Sequence, residues 1–223
     1  MTFVESFLDI YVDPVFQVII AVLAGSGLHV SLFFAHRKNL LSTEVIRVTG
    51  HILFALVVVI FAPITYKLSM AVSSFFLGFI FLYKIPEYWG NEGKKAGSWG
   101  VWVYSFALGL LAILGLETFV VEFQISVLLL GFADPAAMFF GKRFPLQEIE
   151  QTGKSMGGTI SFIIVGMLVI VVFHLVYPTG FVSSSWLKIS IGVVVAGIAE
   201  QFSKRGTDNI TAPLACFLIL VYL

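Results

Sequence analysis

Long runs of apolar residues, separated by short polar stretches, set the pattern of this chain. A helix needs about 20 apolar residues to cross the hydrocarbon layer of a bilayer, and about 17 where neighbouring helices help. The pattern predicts eight such helices, with seven as the alternative count. They fall at residues 15–35, 48–64, 69–83, 100–115, 119–140, 159–177, 187–202 and 210–223. The expected fold class is therefore an all-α bundle of transmembrane helices.

The composition supports the same class. The chain is 59% hydrophobic and 12% charged, with a mean hydropathy of +1.00, and no water-soluble domain of this size needs so apolar a sequence. We expect residues 1–223 to form a single integral membrane domain. The formal net charge is zero, which excludes the basic footprint of nucleic-acid binding. The single cysteine, Cys216, excludes internal disulfides and Cys-based zinc sites.

The basic residues favour one orientation in the membrane, because short cytoplasmic loops collect Lys and Arg. With the N-terminus outside, only Lys67 and Lys188 of the 13 basic residues fall on the outer side. The others fall on the inner side: Arg37, Lys38, Arg47, Lys84, Lys94, Lys95, Lys142, Arg143, Lys154, Lys204 and Arg205. The sequence therefore predicts an outside N-terminus.

Glu44, Arg47 and His51 lie where the second predicted span begins. A charged side chain in a spanning helix costs at least about 2.5 kcal/mol, so it needs a partner, a wet cavity or a function. Their spacing of i, i+3 and i+7 puts all three on one helix face. They are candidate site residues. The structural alternative is a capping pair of Glu44 and Arg47, with His51 hydrogen-bonded inside the bundle.

Asp134 lies at the inner end of the fifth predicted span and is followed by Pro135. The sequence predicts that the proline breaks the helix and that Gly141, Lys142 and Arg143 form a turn. A carboxylate is the hard oxygen ligand that Mg²⁺ prefers, so Asp134 is a candidate for metal binding or proton transfer. The structural alternative is that it caps the helix that Pro135 restarts.

Residues 153–159 (GKSMGGT) lead directly into the sixth predicted span. A helix start offers unpaired N–H groups and the positive end of the helix dipole, Gly157 and Gly158 allow close approach, and Lys154 adds a charge. The spacing does not fit a Walker A loop, and no strand is expected before it. The pattern predicts a phosphate-binding segment, with an ordinary loop as the alternative.

Glu200 ends the seventh predicted span, and Gly206, Thr207, Asp208 and Asn209 form a turn before the last one. Capping alone is the structural alternative, since Asp and Asn are common N-caps. Their position favours a site, because all of these groups fall at the same inner face. Carboxylates, a helix-end anion site and basic groups at one membrane face are what Mg²⁺-assisted phosphoryl transfer needs.

Several aromatic residues near the inner face predict an interfacial belt, with a groove for a lipid substrate as the alternative. These residues are Tyr83, Tyr88, Trp89, Trp99, Trp102 and Tyr104. Near the outer side, Glu117 and Glu122 are expected to be interface residues.

Four segments, read in order, resemble motifs of the CTP-dependent lipid kinase family, which includes dolichol kinase, phytol kinase and the yeast-type diacylglycerol kinase. Residues 44–51 (EVIRVTGH) look like the family's E-x-x-R-K-x-x-H motif, with Val48 where lysine is common. Residues 131–144 (GFADPAAMFFGKRF) are similar to its acidic block that ends in G-(R/K)-R-F.

The remaining two segments lie further along the chain. Residues 154–159 (KSMGGT) look like the family's K-S-x-E-G-(S/T) motif, with Gly157 in place of the usual acid. Glu200, together with residues 206–209 (GTDN) and Pro213, resembles the closing block. The four segments span residues 44 to 213, which is nearly all of the predicted membrane core.

The resemblance implies transfer of the γ-phosphate of CTP to a lipid alcohol at the cytoplasmic face, with Mg²⁺ as cofactor. An isoprenoid alcohol such as dolichol, another polyprenol or phytol is the first expected acceptor. The expected catalytic residues are Asp134, His51, Arg47 and Lys154, with either Asp134 or His51 as the base. The expected metal ligands are Asp134, Asp208, Glu200 and Glu44. The expected nucleotide-binding residues are Lys142, Arg143, Lys154, Ser155, Gly157, Gly158 and Asn209.

Three other functions stay open at the level of the sequence. One is a CTP-dependent diacylglycerol kinase, and another is a membrane cytidylyltransferase that transfers the nucleotidyl group to a lipid phosphate. The third is a small secondary transporter, although its charges should line a path through the bilayer midplane. The expected partners are the lipid bilayer, a nucleoside triphosphate and the lipid alcohol, with a homo-oligomer left open.

Overall fold

The computed structural model describes residues 13–88, 98–177, 185–204 and 206–223 of the chain. Its helices are α1 (Pro14–Arg37), α2 (Thr43–Phe61), α3 (Lys67–Tyr88), α4 (Ser98–Gly115), α5 (Val120–Leu128), α6 (Asp134–Arg143), α7 (Met156–Val176), α8 (Trp186–Phe202) and α9 (Asp208–Tyr222). A 3₁₀ turn (Ala62–Ile64) follows α2, and a π turn (Leu129–Ala133) joins α5 to α6. Two short strands, β1 (Glu148–Ile149) and β2 (Lys154–Ser155), precede α7. The predictions on Trp89, Lys94, Lys95 and Arg205 lie outside the described residues.

Each of the eight predicted spans coincides with a helix or with a continuous run of helical turns. Within the described ranges, four helical segments are long and apolar enough to cross a membrane: Pro14–Arg37, Glu44–Ile64, Val120–Arg143 and Met156–Val176. Shorter apolar helical segments accompany them at Lys67–Phe79, Trp102–Gly115 and Asp208–Tyr222. The predicted all-α transmembrane bundle is confirmed, and the number of spans stays a prediction.

Side-chain caps explain where several helices begin. Asp13, Ser42, Ser155 and Ser185 each stand one residue before a helix and accept hydrogen bonds from N–H groups of its first turn. Such a cap contributes about 1 kcal/mol, because the first N–H groups of a helix have no partner within it. Polar residues between the apolar runs therefore fix the helix starts and, with them, the positions of the site residues.

The helical run Val120–Arg143 is the centre of the bundle. Its apolar stretch is 72% buried, compared with 6% for that of Pro14–Arg37. Phe123 and Leu129 in the central run have no exposed surface, whereas Leu23 on α1 is 67% exposed. Large apolar side chains that point outwards from the peripheral helices suit a surface in contact with lipid.

Pro135 does not break the central helix, so that part of the prediction was wrong. The chain stays helical through this region because the π turn Leu129–Ala133 comes just before the proline. The N–H of Asp134 donates to the carbonyl of Leu129, five residues back. The hydrogen-bond register is thus already shifted where the proline lacks an N–H. Pro135 then lies in the first turn of α6, where proline is tolerated.

A small β-hairpin precedes α7, where the sequence predicts no strand. Glu148 pairs with Ser155 and Ile149 with Lys154 in antiparallel register. Residues 141–143 complete the last turn of α6 and do not form a separate turn, which corrects the prediction made for them. The hairpin therefore holds Lys154 on a strand and places Ser155 as the N-cap of α7.

Candidate active site

Three carboxylates that are far apart in the sequence meet at one end of the bundle. Asp134, Glu200 and Asp208 each offer a carboxylate oxygen, and these oxygens all lie within 4.8 Å of one another. Asp134 is 7% exposed and Glu200 is 6% exposed. We call these three residues the acid cluster, and the end of the bundle that carries them the acidic end. Three of the four predicted metal ligands are thus brought together.

The ammonium of Lys154 lies between two of these acids. Its Nζ donates to Oε1 of Glu200 at 2.5 Å and to Oδ2 of Asp208 at 2.7 Å. The Lys154 side chain is only 11% exposed, so these contacts form where an unpaired charge is costly. One ammonium against three carboxylates leaves an excess of negative charge, and the cluster can therefore accept a further cation.

Each acid is placed by a helix end. Asp134 begins α6, Glu200 lies in the last turn of α8, and Asp208 begins α9. Oδ1 of Asp208 accepts hydrogen bonds from two backbone N–H groups of its own turn, which leaves Oδ2 for Lys154. Gly206 has a φ of +96°, a conformation that favours glycine. The tight turn that it allows brings the ends of α8 and α9 to the same place.

His51 of α2 faces Asp134. Its Nδ1 lies 3.6 Å from Oδ2 of Asp134, and both side chains are buried. This distance is longer than a hydrogen bond, so the two groups are neighbours that a hydroxyl group can bridge. His51 and Asp134 are the two candidate bases, and the sequence does not choose between them. The structure places both at one location.

Tyr104 of α4 packs on His51 and was missed as a site residue by the sequence analysis. The two ring centroids are 4.6 Å apart, and the Tyr104 hydroxyl donates to the backbone carbonyl of His51 at 3.2 Å. Tyr104 is 5% exposed and lines the cavity of the site, which favours the alternative of a groove over an interfacial belt. Among the other predicted belt residues, Trp102 is half-buried and stacks on Phe106. The side chains of the rest lie outside the described part of the chain: Tyr83, Tyr88, Trp89 and Trp99.

A glycine allows the π turn to approach α2 closely. A Cβ atom on Gly131 would lie 2.2 Å from Cβ of Ala55 and 3.2 Å from the backbone carbonyl oxygen of His51. Ala55 is fully buried, so it has no room to move aside. The close approach of the two backbones carries Asp134, three residues after the glycine, to the imidazole of His51.

Glu44, the fourth predicted metal ligand, does not join the acid cluster. It is exposed in the first turn of α2 and forms an ion pair with Lys142 in the last turn of α6. Arg47, one turn further along α2, interacts electrostatically with Asp134. At the acidic end, the Lys142 ammonium is thus paired with Glu44 at the surface, while Arg47 is exposed and lines a cavity that also includes Asp134.

The amides of Gly157 and Gly158 have partners within the protein. The N–H of Gly157 donates to the carbonyl of Pro145 at 3.4 Å, and that of Gly158 donates to Oγ of Ser155 at 3.2 Å. A Cβ atom on Gly157 would lie 1.7 Å from the carbonyl oxygen of Phe144. These glycines therefore let the start of α7 pack against the segment that follows α6, and their contact with phosphate stays a prediction.

A cavity of about 800 Å³ connects the acid cluster with the apolar interior. At the acidic end, its lining includes Arg47, His51, Asp134, Lys142, Lys154, Ser155, Gly158, Glu200 and Asp208. It continues between α1, α2 and α3 along apolar side chains such as Leu28, Phe54 and Leu77, and we call this part the corridor. Four predicted site residues are not among the described residues that line this cavity: Glu44, Arg143, Gly157 and Asn209.

Known proteins offer one informative comparison. No family model matches the chain, and no solved structure matches it. The chain is 31% identical to a protein named phytol kinase from Synechocystis sp. over 143 residues. The match covers 61% of this chain and 60% of that protein, so less than two thirds of the relative's length is spanned. The chain is therefore similar to a phytol kinase over about three fifths of each protein.

Proposed function

We propose that the protein is a kinase that transfers the γ-phosphate of CTP to the hydroxyl group of an isoprenoid alcohol in the membrane, such as phytol, dolichol or another polyprenol. The observation that carries this proposal is the single cavity that joins a buried acid cluster to an apolar corridor. A nucleoside triphosphate with its metal ion needs a charged environment, and the hydrocarbon chain of a lipid needs an apolar one. The two environments must adjoin for the phosphoryl group to pass from one substrate to the other. The similarity to a phytol kinase supports a lipid alcohol as the acceptor.

Proton removal falls to His51 or Asp134. In the transfer, the alcohol oxygen forms a bond to the γ-phosphorus, the bond to the β–γ bridging oxygen breaks, and the hydroxyl proton passes to a base. Nδ1 of His51 and Oδ2 of Asp134 are 3.6 Å apart, so a hydroxyl group between them can reach either atom. The ring of Tyr104 packs against the imidazole of His51, and the Tyr104 hydroxyl holds the backbone carbonyl of the same residue.

The acid cluster fits Mg²⁺. Three carboxylates with oxygens within 4.8 Å of one another form the hard donor set that this ion prefers, and Mg²⁺ needs only one or two of them beside substrate phosphates. Asp134, Glu200 and Asp208 are the ligands that we propose. When bound, the ion supplies positive charge against the triphosphate. Lys154 and Arg47 line the same cavity and offer N–H donors to phosphate oxygens.

We place this site on the cytoplasmic side of the membrane. The distribution of Lys and Arg over the loops supports that side, since cytoplasmic loops collect positive charge. The same side supplies nucleoside triphosphates. The acceptor reaches the site from within the bilayer, so no soluble carrier is needed.

The test is an assay of the purified protein with γ-labelled CTP, ATP, GTP and UTP against a panel of prenols, phytol and diacylglycerol. We expect γ-label to enter a lipid alcohol, with CTP as the best donor. Matched reactions with α-labelled CTP and a lipid phosphate distinguish a cytidylyltransferase, which transfers α-label only. Label in diacylglycerol alone identifies the protein as a diacylglycerol kinase. Failure of every nucleotide to label any lipid contradicts the proposal.

A further inference from the structure

The corridor has a defined length. Along α2 and the 3₁₀ turn that follows it, the cavity is lined from His51, which lies against Asp134, to Thr65, and this corresponds to about 21 Å at roughly 1.5 Å per helical residue. Along α1, it is lined from Leu32 near the acidic end back to Ile20. The corridor therefore extends from the acid cluster across much of a hydrocarbon layer about 30 Å thick.

A polar bridge ties the helices together at the far end of the corridor. Gln17 is 1% exposed, its Nε2 donates to the carbonyl of Ile64 at 3.0 Å, and its Oε1 accepts from the N–H of Tyr66 at 3.0 Å. The Ser69 hydroxyl donates to the carbonyl of Pro14 at 3.1 Å. These bonds join the start of α1 to the connection between α2 and α3. The corridor is thus closed off at the end opposite the acid cluster.

Phe61, Thr65 and Met70 line the cavity at this closed end, and we call them the floor. Thr65 and Met70 are buried. The Thr65 hydroxyl donates to the carbonyl of Phe61 at 2.8 Å, and that of Ser73 donates to the carbonyl of Ser69 at 2.6 Å. Because these hydroxyl protons are used within the protein, the walls near the floor suit a hydrocarbon chain.

The corridor also has a side that faces lipid. Ala24 on α1 and Val57 on α2 line the cavity, and both are exposed on the surface of the bundle. Apolar residues that belong both to a cavity wall and to the lipid-facing surface mark a lateral opening between the two helices. A lipid alcohol can enter there without leaving the bilayer.

We propose that the corridor measures the acceptor's hydrocarbon chain, with the hydroxyl group between His51 and Asp134 and the end of the chain at the floor. This inference rests on the proposed function, and it narrows the acceptor to alcohols with one chain of about the length of geranylgeraniol. An extended chain of that length measures about 19 Å, taking roughly 3.5 Å for three bonds, and matches the corridor. Dolichol is several times longer, and diacylglycerol has two chains.

The first test is a series of acceptors of increasing length with the purified protein. We expect kcat/KM to rise from geraniol through farnesol to geranylgeraniol and to fall by about tenfold or more for dolichol, because a chain that cannot fit loses the contacts of the corridor. Equal kcat/KM values from farnesol to dolichol would overturn the proposal.

A variant near the floor tests the position of the chain end. Ala21 lines the cavity within two turns of the start of α1, and Ala21→Phe shortens the corridor by about one helical turn. We expect it to lower kcat/KM for geranylgeraniol by about tenfold while farnesol is largely unaffected. Leu23→Phe is the matched control, since Leu23 is 67% exposed on the same helix and does not line the cavity. If Ala21→Phe does not fold in detergent, Ala21→Leu adds less volume at the same place.

Binding of tritiated geranylgeraniol without nucleotide separates the two proposals. If no alcohol is phosphorylated but the labelled alcohol binds and Ala21→Phe weakens its binding, the kinase proposal fails and the chain-length proposal stands. If alcohols of all lengths are phosphorylated alike, the kinase proposal stands and the chain-length proposal fails. An equal loss of binding in Ala21→Phe and Leu23→Phe also contradicts the measuring role.

Discussion

At the scale of single residues, Asp134 belongs to two groupings at once. It shares the acid cluster with Glu200 and Asp208, and it lies against His51. Its buried carboxylate is therefore available both to a cation and to the proton of an acceptor hydroxyl. A substitution at this position removes both contributions together, which makes Asp134 the most informative residue to replace.

Asp134→Asn keeps the size of the side chain and removes its charge. We expect phosphoryl transfer to fall by about a thousandfold or more, since the change removes one of the two candidate bases and a charged oxygen from the reaction centre. The melting temperature in detergent should stay close to that of the parent protein, because the change removes one of three neighbouring carboxylates that repel one another. Normal turnover in this variant, measured with γ-labelled CTP, contradicts the role assigned to Asp134.

Tyr104 acts on His51 through two separable contacts. Tyr104→Phe removes the hydrogen bond to the His51 carbonyl and keeps the ring, so we expect a loss of about 1 kcal/mol in stability and little loss of kcat. Tyr104→Ala removes the ring as well and frees the imidazole, so kcat should fall while KM for the nucleotide stays unchanged. Steady-state kinetics together with thermal melting in detergent measure both effects. Equal kcat values for the two variants contradict a positioning role.

The sequence carried a clear signal for the acids and almost none for Tyr104. Carboxylates inside apolar spans are rare because a charge in the hydrocarbon layer costs free energy. Asp134 and Glu200 were predicted as site residues for this reason. A tyrosine near a span end is ordinary and suits an interfacial belt equally well. Only the contacts of Tyr104 with His51 show that Tyr104 faces inwards, and such contacts have no linear pattern.

At the scale of elements, the contact between the π turn and α2 controls the distance between His51 and Asp134. Gly131→Ala places a methyl group against Ala55, so we expect a loss of about 1–3 kcal/mol in stability and a larger proportional loss of activity. The double variant Gly131→Ala, Ala55→Gly removes the 2.2 Å contact, leaves the 3.2 Å contact with the His51 carbonyl, and should restore much of the activity. Melting and initial rates of both variants test this.

Gly27→Ala is the matched control for the π-turn variant. Nothing lies within 4 Å of a Cβ atom added at Gly27, which is also in a helix. Because alanine favours helices more than glycine does, we expect this control to be neutral or slightly stabilising. A loss of activity in the control as large as that of Gly131→Ala would show that the effect is not specific to the contact.

Hydropathy was enough to predict the helices but not the irregular elements between them. A span of about 20 apolar residues has few alternatives in a membrane, so its position follows from composition. The π turn was missed because Pro135 normally signals a break, and the shift of register that accommodates it depends on local geometry. The hairpin was missed because strands of two residues are too short to show a period.

At the scale of the whole molecule, the shared membrane face of the site residues was predictable, but their lateral arrangement was not. Basic residues in short loops indicate which helix ends lie on one side. Which helices then pack together is decided by close contacts such as that of Gly131 with Ala55. Glu44 shows the consequence, because it lies at the expected end of α2 yet pairs with Lys142 outside the acid cluster.

The orientation of the bundle can be measured by chemical labelling. Glu150 is exposed in the turn of the hairpin at the acidic end, and Lys67 is exposed where α3 begins. With the acidic end inside, Lys67→Cys should react with a membrane-impermeant maleimide in intact cells, and Glu150→Cys only after permeabilisation. The native Cys216 is fully buried, so the unmodified chain serves as the background control. The opposite labelling pattern would place the site on the outer side.

Lys154 gives the acids a counter-ion that is part of the chain, and this bears on how the protein matures. Because its ammonium already contacts Glu200 and Asp208, the chain can insert and pack before any divalent ion arrives. We expect a chelator to abolish activity and leave the melting temperature nearly unchanged. Lys154→Met should instead melt at a temperature that rises with added Mg²⁺, since three unbalanced carboxylates then depend on an external ion. We therefore expect folding to be independent of the proposed metal, and activity to depend on it.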